Sequence, residues 1–169
     1  MQKVVVIGSP GAGKSTLSRK LSRQLKLPLY HMDQLFWRPG WVSTPKAEFL
    51  AELDRITQLP QWIIDGNYNS TLALRIAAAD TIVFLDLQAG ICFRRVIRRS
   101  LQNRRREDMT EGCSEQFLSK DYWEFLLFVL TFRRHSRPKI LRLIGQHRTG
   151  KRVCHLLSPA QVDNFISTL

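Results

Sequence analysis

The sequence predicts an α/β fold, a three-layer α/β/α sandwich around a five-stranded parallel sheet. Three observations carry that expectation. Short apolar runs alternate with helical patterns along the 169 residues, as βαβ units do. The first run leads through a glycine-rich turn into a helix. Acids follow three of the runs, at the carboxyl ends where open parallel sheets bind ligands.

Lys3–Ile7 reads as a buried strand. Leucines at 17, 21 and 25 then give Ser15–Leu25 one apolar stripe, a helix that Pro28 ends. Leu29–Met32 is a short second strand, and Trp37–Trp41 holds a Pro39-Gly40 turn within a loop. Thr44 is expected to cap the next helix, with Pro45 first and Phe49, Leu53 and Ile56 inward. Trp62–Ile64 and Thr81–Leu85 follow as strands, Ile91–Leu101 as a basic helix, and 102–120 as a polar loop. Helices are expected over Asp121–Arg134 and Pro138–Ile144, then a fifth strand at Arg152–Leu157. Ser158-Pro159 caps a closing helix with Val162, Phe165 and Ile166 inward. No repeat or linker interrupts the chain, so one domain is expected, with a lid-like insert over about 100–137.

Composition narrows the function classes. Apolar residues make up 44% and charged residues 24%, which suits a globular domain rather than a disordered one. No apolar run approaches the roughly 20 residues of a membrane helix. Charge and then glycine interrupt the first residues where a signal peptide needs a longer apolar stretch. Cys92, Cys113 and Cys154 are odd in number and lack metal-ligand spacing. A cytoplasmic protein without a membrane segment is expected.

Gly8-Ser9-Pro10-Gly11-Ala12-Gly13-Lys14-Ser15 matches G-x-x-x-x-G-K-[ST] at every required position, followed by Thr16. Glycines let backbone N–H groups converge on phosphate oxygens, and the helix N-terminus adds a favourable dipole. Lys14 is expected to reach the β- and γ-phosphates of ATP, and the Ser15 hydroxyl to ligate Mg²⁺. Of the strand-end acids, Asp65 fits a metal role best. Asp33 fits orientation or deprotonation of an acceptor, while Asp86 equally fits a helix cap. His31, beside Asp33, is expected to be hydrogen-bonded at its strand end. Burial in the core is the expectation for Trp62 and Phe84.

The charge is uneven. The whole chain carries +12, of which +8 lies in residues 86–169. Seven arginines crowd Arg94–Arg106 without an acid among them, which suits a polyphosphate site or a nucleic-acid surface.

With these motifs in place, the chain resembles the adenylate kinase-like nucleoside and nucleotide kinases of the P-loop NTPase class. It is more closely similar to the DNA topology modulation proteins (FlaR-related). GSPGAGKSTLSRKL, LYHMDQLFW, WIIDGNYNSTLALR, ADTIVFLD and FRRHSRPKIL carry that resemblance. It implies a kinase fold, ATP with Mg²⁺, and a lid rich in arginine. It places Arg95 against adenine and phosphate-facing Arg99 one turn on. Returning lid arginines fall among Arg133, Arg134 and Arg137, of which Arg134 and Arg137 join the expected catalytic set. The Leu157–Pro159 loop is expected near adenine. Where a nucleotide kinase carries Asp-Gly-Phe-Pro-Arg, this chain reads Asp65-Gly66-Asn67-Tyr68-Asn69. The acceptor-gripping arginine is absent there, and Arg38 or Arg75 are candidates to replace it. Tyr30, Phe36, Trp37, Trp41 and Tyr68 surround the expected acceptor entrance.

The leading expectation is a Mg²⁺-ATP-dependent phosphotransferase acting on a small nucleoside- or nucleotide-like acceptor near Asp33, Trp37, Arg38 and Arg75. The alternative is an ATP-gated regulator that binds DNA through Arg94–Arg106.

Overall fold

The computed structural model describes residues 1–102, 108–113 and 119–169. Its centre is β1 (Lys3–Gly8), whose Val4–Ile7 are fully buried. β1 pairs in parallel with β5 (Trp62–Asp65) on one side and β6 (Thr81–Leu85) on the other. β2 (Leu29–His31) joins β5, and β7 (Arg152–Leu156) joins β6, also in parallel. The resulting sheet has the order β2-β5-β1-β6-β7. The expected five-stranded parallel sheet is therefore the observed one.

Both faces of the sheet are covered because β-branched runs present apolar side chains alternately to each. Val4 and Val6 pack with Leu17 and Leu21 of α1 (Lys14–Leu25), Val96 of α5 (Ala89–Leu101) and Val129 of α6 (Lys120–His135). Phe165 of α8 (Pro159–Ser167) closes that layer. Val5 and Ile7 pack with Phe49, Leu53 and Ile56 of α3 (Lys46–Gln58) and Leu72 and Ile76 of α4 (Asn69–Ala78). Ile140 and Ile144 of α7 (Arg137–His147) complete the opposite layer. Trp62 and Phe84 are fully buried, as expected.

Four local expectations are corrected. Met32 does not extend the second strand; it opens the short helix α2 (Met32–Phe36). Trp37–Arg38 (β3) and Val42–Ser43 (β4) pair as a small antiparallel hairpin rather than a plain loop, with Gly40 at φ 77° allowing the turn. Thr44 does not cap α3. Its hydroxyl donates to Leu35 O at 3.0 Å, and Pro45 takes the N-cap position. Asp86 does not cap α5, where Gln88 stands at the N-cap. The closing helix follows expectation: Ser158 Oγ accepts from Gln161 N at 3.3 Å, with Pro159 first.

The described part of the polar stretch docks on the hairpin. Thr110 Oγ1 donates to Trp37 O, Cys113 Sγ donates to Arg38 O at 3.2 Å, and Met109 and Cys113 are buried. Among the described residues no helix is long and apolar enough to cross a membrane.

Candidate functional site

At the carboxyl edge of the sheet, a cleft of about 950 Å³ runs from the glycine-rich turn to the loop after β5. The turn leaves the central strand at Gly8 and enters α1 at Lys14. Gly11 must be glycine. Its φ is 78°, and an added Cβ would lie 2.3 Å from Cys92 O. Lys14 Nζ donates to the carbonyls of Gly8 and Ser9 at 3.0 and 3.2 Å. Pro10, Gly11, Ala12, Gly13, Lys14, Ser15 and Thr16 line the cleft, while Gly8 and Ser9 are buried behind it.

α5 leans over this turn. Arg95 Nη1 donates to Ala12 O at 3.2 Å, and Arg99, one turn later, also lines the cleft. The two arginines share a helix face because they are four residues apart. Phe125, Phe128, Pro159, Val162 and Ile166 form an apolar wall, and Asp163 of α8 stands with them. Pro159, the last residue of the loop that the kinase resemblance puts near adenine, is in the lining; Leu157 is not.

Asp33, after β2, and Asp65, at the end of β5, line the same cleft. Asp65 is 4% exposed and ends β5; its Oδ1 lies 2.8 Å from His31 Nδ1. Oδ2 of Asp65 is buried and has no hydrogen-bond partner among the described residues. Burial pulls the His31 imidazole down, but the hydrogen bond and charge of Asp65, with the charge of Asp108, outweigh it. Its pKa is therefore raised. Asp33, at the start of α2, accepts from Tyr68 Oη at 2.9 Å.

Tyr68 owes its position to the loop after β5. It sits at φ 31° and ψ 77°, a left-handed conformation that costs a bulky residue about 1–3 kcal/mol. Arg75 holds that loop from beneath. Its guanidinium donates to Gly66 O at 2.7 Å, to Asn67 O and to Tyr68 O at 3.2 Å. Arg75 is fully buried. Burial lowers its pKa to about 9, against the opposing effects of Asp65 and Tyr68, so it stays cationic at neutral pH. Asn67 Oδ1 accepts from Gly8 N at 3.1 Å and ties the loop to the central strand.

One contact had no signal in the sequence. Ser15 Oγ donates to Asp108 Oδ2 at 2.6 Å, which brings the insert onto the first turn of α1. Asp108 lay inside a polar tract without periodicity, and only the fold brings it to the cleft.

The expected site residues thus divide. Lys14, Ser15, Asp33, Asp65, Arg95 and Arg99 line one cleft. Arg75 does not face an acceptor; it is consumed by three carbonyls in the interior. Exposed Arg38 pairs with Glu48 at 2.5 Å. Arg137 Nε donates to buried Asp86 Oδ2 at 2.7 Å, beside His155 Nε2 at 2.9 Å and Arg133 Nε at 3.4 Å from Oδ1. Arg134 is exposed and outside the cleft lining. Tyr68 lines the cleft, but Tyr30, Phe36, Trp37 and Trp41 do not. Phe36 instead packs behind Tyr68 with ring centroids 5.0 Å apart. Arg104, Arg105 and Arg106 lie outside the described residues.

Comparison with solved structures agrees with this architecture. Shikimate kinase from Bacteroides thetaiotaomicron aligns over 98% of this chain and 94% of its own, at 18% identity and a TM-score of 0.50. Shikimate kinase from Acinetobacter baumannii, solved in complex with shikimate, aligns over 99% and 90%, at 14% identity and a TM-score of 0.56. The chain has a P-loop kinase fold. A curated shikimate kinase from Rhodococcus jostii (strain RHA1) is 55% identical over 31 residues, 18% of each chain. That match therefore spans under a fifth of the relative's length. No protein-family model matches the chain.

Among the described residues, no cluster of three or more His, Cys, Asp or Glu side chains could hold a metal ion by themselves. A Mg²⁺ ion held by one or two protein groups plus substrate phosphates needs no such cluster. Ser15 and the partnerless Asp65 oxygen are the donors that suit it.

Proposed function

We propose that the chain is a Mg²⁺-ATP-dependent phosphotransferase acting on a small molecule. The observation that carries this reading is the single cleft that joins a complete phosphate loop to Asp33 and Asp65. A phosphate loop alone would serve binding; acids in the same cleft supply a place for acceptor chemistry.

ATP lies with its phosphates on 10–16 and its base toward Arg95 and the Pro159–Val162 wall. Lys14 exchanges its carbonyl contacts at Gly8 and Ser9 for the β- and γ-phosphate oxygens. Arg95 and Arg99 offset charge on the phosphates, a positioning and electrostatic role. Ser15 and Asp65 would hold Mg²⁺, which would supply neutralisation of phosphate charge when bound. His31 orients Asp65. Asp33, fixed by Tyr68, accepts the proton of the attacking acceptor group.

The resemblance to DNA topology modulation proteins supports a DNA-binding alternative only through the arginine stretch. Arg95 and Arg99 of that stretch line the phosphate cleft, which favours phosphoryl transfer. The test is kinetic. Lys14→Ala should remove transfer from labelled ATP, while Asp33→Asn should lower kcat by about 100-fold or more and leave the KM for ATP near its parent value. Parent rates in both variants would refute the proposal.

A further inference from the structure

Resting on the phosphotransferase reading, we propose that Lys20 and Asp163 bind the ribose hydroxyls of the donor nucleotide. The pair thereby selects a ribonucleotide over its deoxy counterparts.

Most charged side chains of the cleft are already engaged. Lys14 and Arg95 donate to carbonyls of the glycine-rich turn, and Asp33, Asp65 and Asp108 meet Tyr68, His31 and Ser15. Arg19 and Arg99 have partners as well. Among the described residues, Lys20 and Asp163 are the two charged lining residues without one, and both are exposed. They stand on helices that pack together. Leu17 and Leu21 of α1 share a core cluster with Phe165 of α8, and Gln24 Nε2 donates to Ile166 O at 3.4 Å. A cation and an anion on adjoining helices that do not pair keep their hydrogen-bonding capacity for a ligand.

Their places in the two helices fall between phosphate and base. Lys20 lies one turn along α1 from Thr16, on the same face as the last residue of the phosphate loop. Asp163 lies one turn along α8 from Pro159, where the apolar wall begins. In a nucleotide, the sugar is what joins phosphate to base.

The chemistry of the pair suits hydroxyls. A hydroxyl offers one donor and two acceptor lone pairs, whereas a carboxylate only accepts and an ammonium only donates. Asp163 accepts from an O–H and Lys20 donates to a hydroxyl oxygen, so together they satisfy a vicinal diol. The base has a different surface: the side chains of Phe125, Phe128, Pro159 and Val162 offer apolar contact and no hydrogen bond. Because Lys20 and Asp163 are exposed, water replaces a missing hydroxyl, and discrimination is moderate rather than absolute.

The experiment measures binding of ADP, 2′-deoxy-ADP and 3′-deoxy-ADP with Mg²⁺ by calorimetry, so no turnover is required. The parent should bind ADP about tenfold more tightly than either deoxy analogue, the scale of one charge-assisted hydrogen bond. Asp163→Ala and Lys20→Met should each lose most of that preference while melting with the parent. Equal affinities in the parent, or a preference that survives in both variants, would overturn the assignment. So would variants that weaken ADP and both analogues by one factor, which is a general charge effect. Variants that change the preference between ADP and GDP instead would show a base contact and overturn it too. A parent that prefers ADP in this way yet transfers no phosphate would refute the phosphotransferase reading and leave the ribose assignment standing.

Discussion

Ser15 Oγ and Asp108 Oδ2 lie 2.6 Å apart, so the hydroxyl suited to a metal is held by a carboxylate 93 residues along the chain. Binding of Mg²⁺-nucleotide at Ser15 must displace that contact, and a ligand loses affinity by the free energy of what it displaces. Asp108→Ala should therefore tighten Mg²⁺ and a non-hydrolysable ATP analogue about ten- to a hundredfold by calorimetry, the scale of one charge-assisted hydrogen bond. Weaker binding would show that Asp108 assists the ligand.

Arg75 should be intolerant of change. Arg75→Met leaves three interior carbonyls without their donor and should destabilise the protein by about 3 kcal/mol. For a chain of this size, that lowers Tm by about 6–12 °C. Arg75→Lys keeps the charge but loses the planar fork, so it should fall between. A Met variant that melts with the parent would refute the clamp.

The His31–Asp65 pair makes stability depend on pH in a definite direction. The folded pKa of His31 is raised, so the native state binds the proton more tightly than the unfolded chain. The pair's contribution is thus full below about pH 6.5, the unfolded value, and is lost as pH rises through the folded value. The Tm gap between the parent and His31→Gln should be wider at pH 5.5 than at pH 8.5. A gap that widens toward alkaline pH would contradict the pairing.

Asp86 joins elements distant in sequence: Arg137 of α7, Arg133 of α6 and His155 of β7. Because the two arginine side chains are 42% and 32% exposed, part of the attraction is screened. Asp86→Asn should cost about 2 kcal/mol and speed amide exchange first at the α6–α7 junction. Uniform exchange across the chain would argue against an anchoring role there.

The sheet and the phosphate loop were legible in the sequence because both rest on local pattern. Val4–Ile7 declares a strand buried on both faces, and the spacing from Gly8 to Ser15 declares a turn that opens a helix. Asp33 and Asp65 could be singled out because strand ends follow from that frame, whereas Arg95 and Arg99 came from the kinase resemblance, with only their shared helix face following from spacing. The hairpin at Trp37–Ser43 was not legible, since its two-residue strands are too short to show alternation. Thr44 read as a cap because its chemistry suits one; a tertiary partner, Leu35 O, won the hydroxyl. Arg75 read as a substrate cation because its type suggests one, whereas only the folded loop of Gly66–Tyr68 shows its carbonyl partners. Asp108 depends wholly on tertiary placement.

The measurement that most directly tests the account is transfer of label from [γ-³²P]ATP to pooled small-molecule acceptors, with parent protein beside Lys14→Ala. The account predicts a Mg²⁺-dependent labelled product that Lys14→Ala does not make. ATP binding by the parent with no labelled product, or equal product from both proteins, would contradict it.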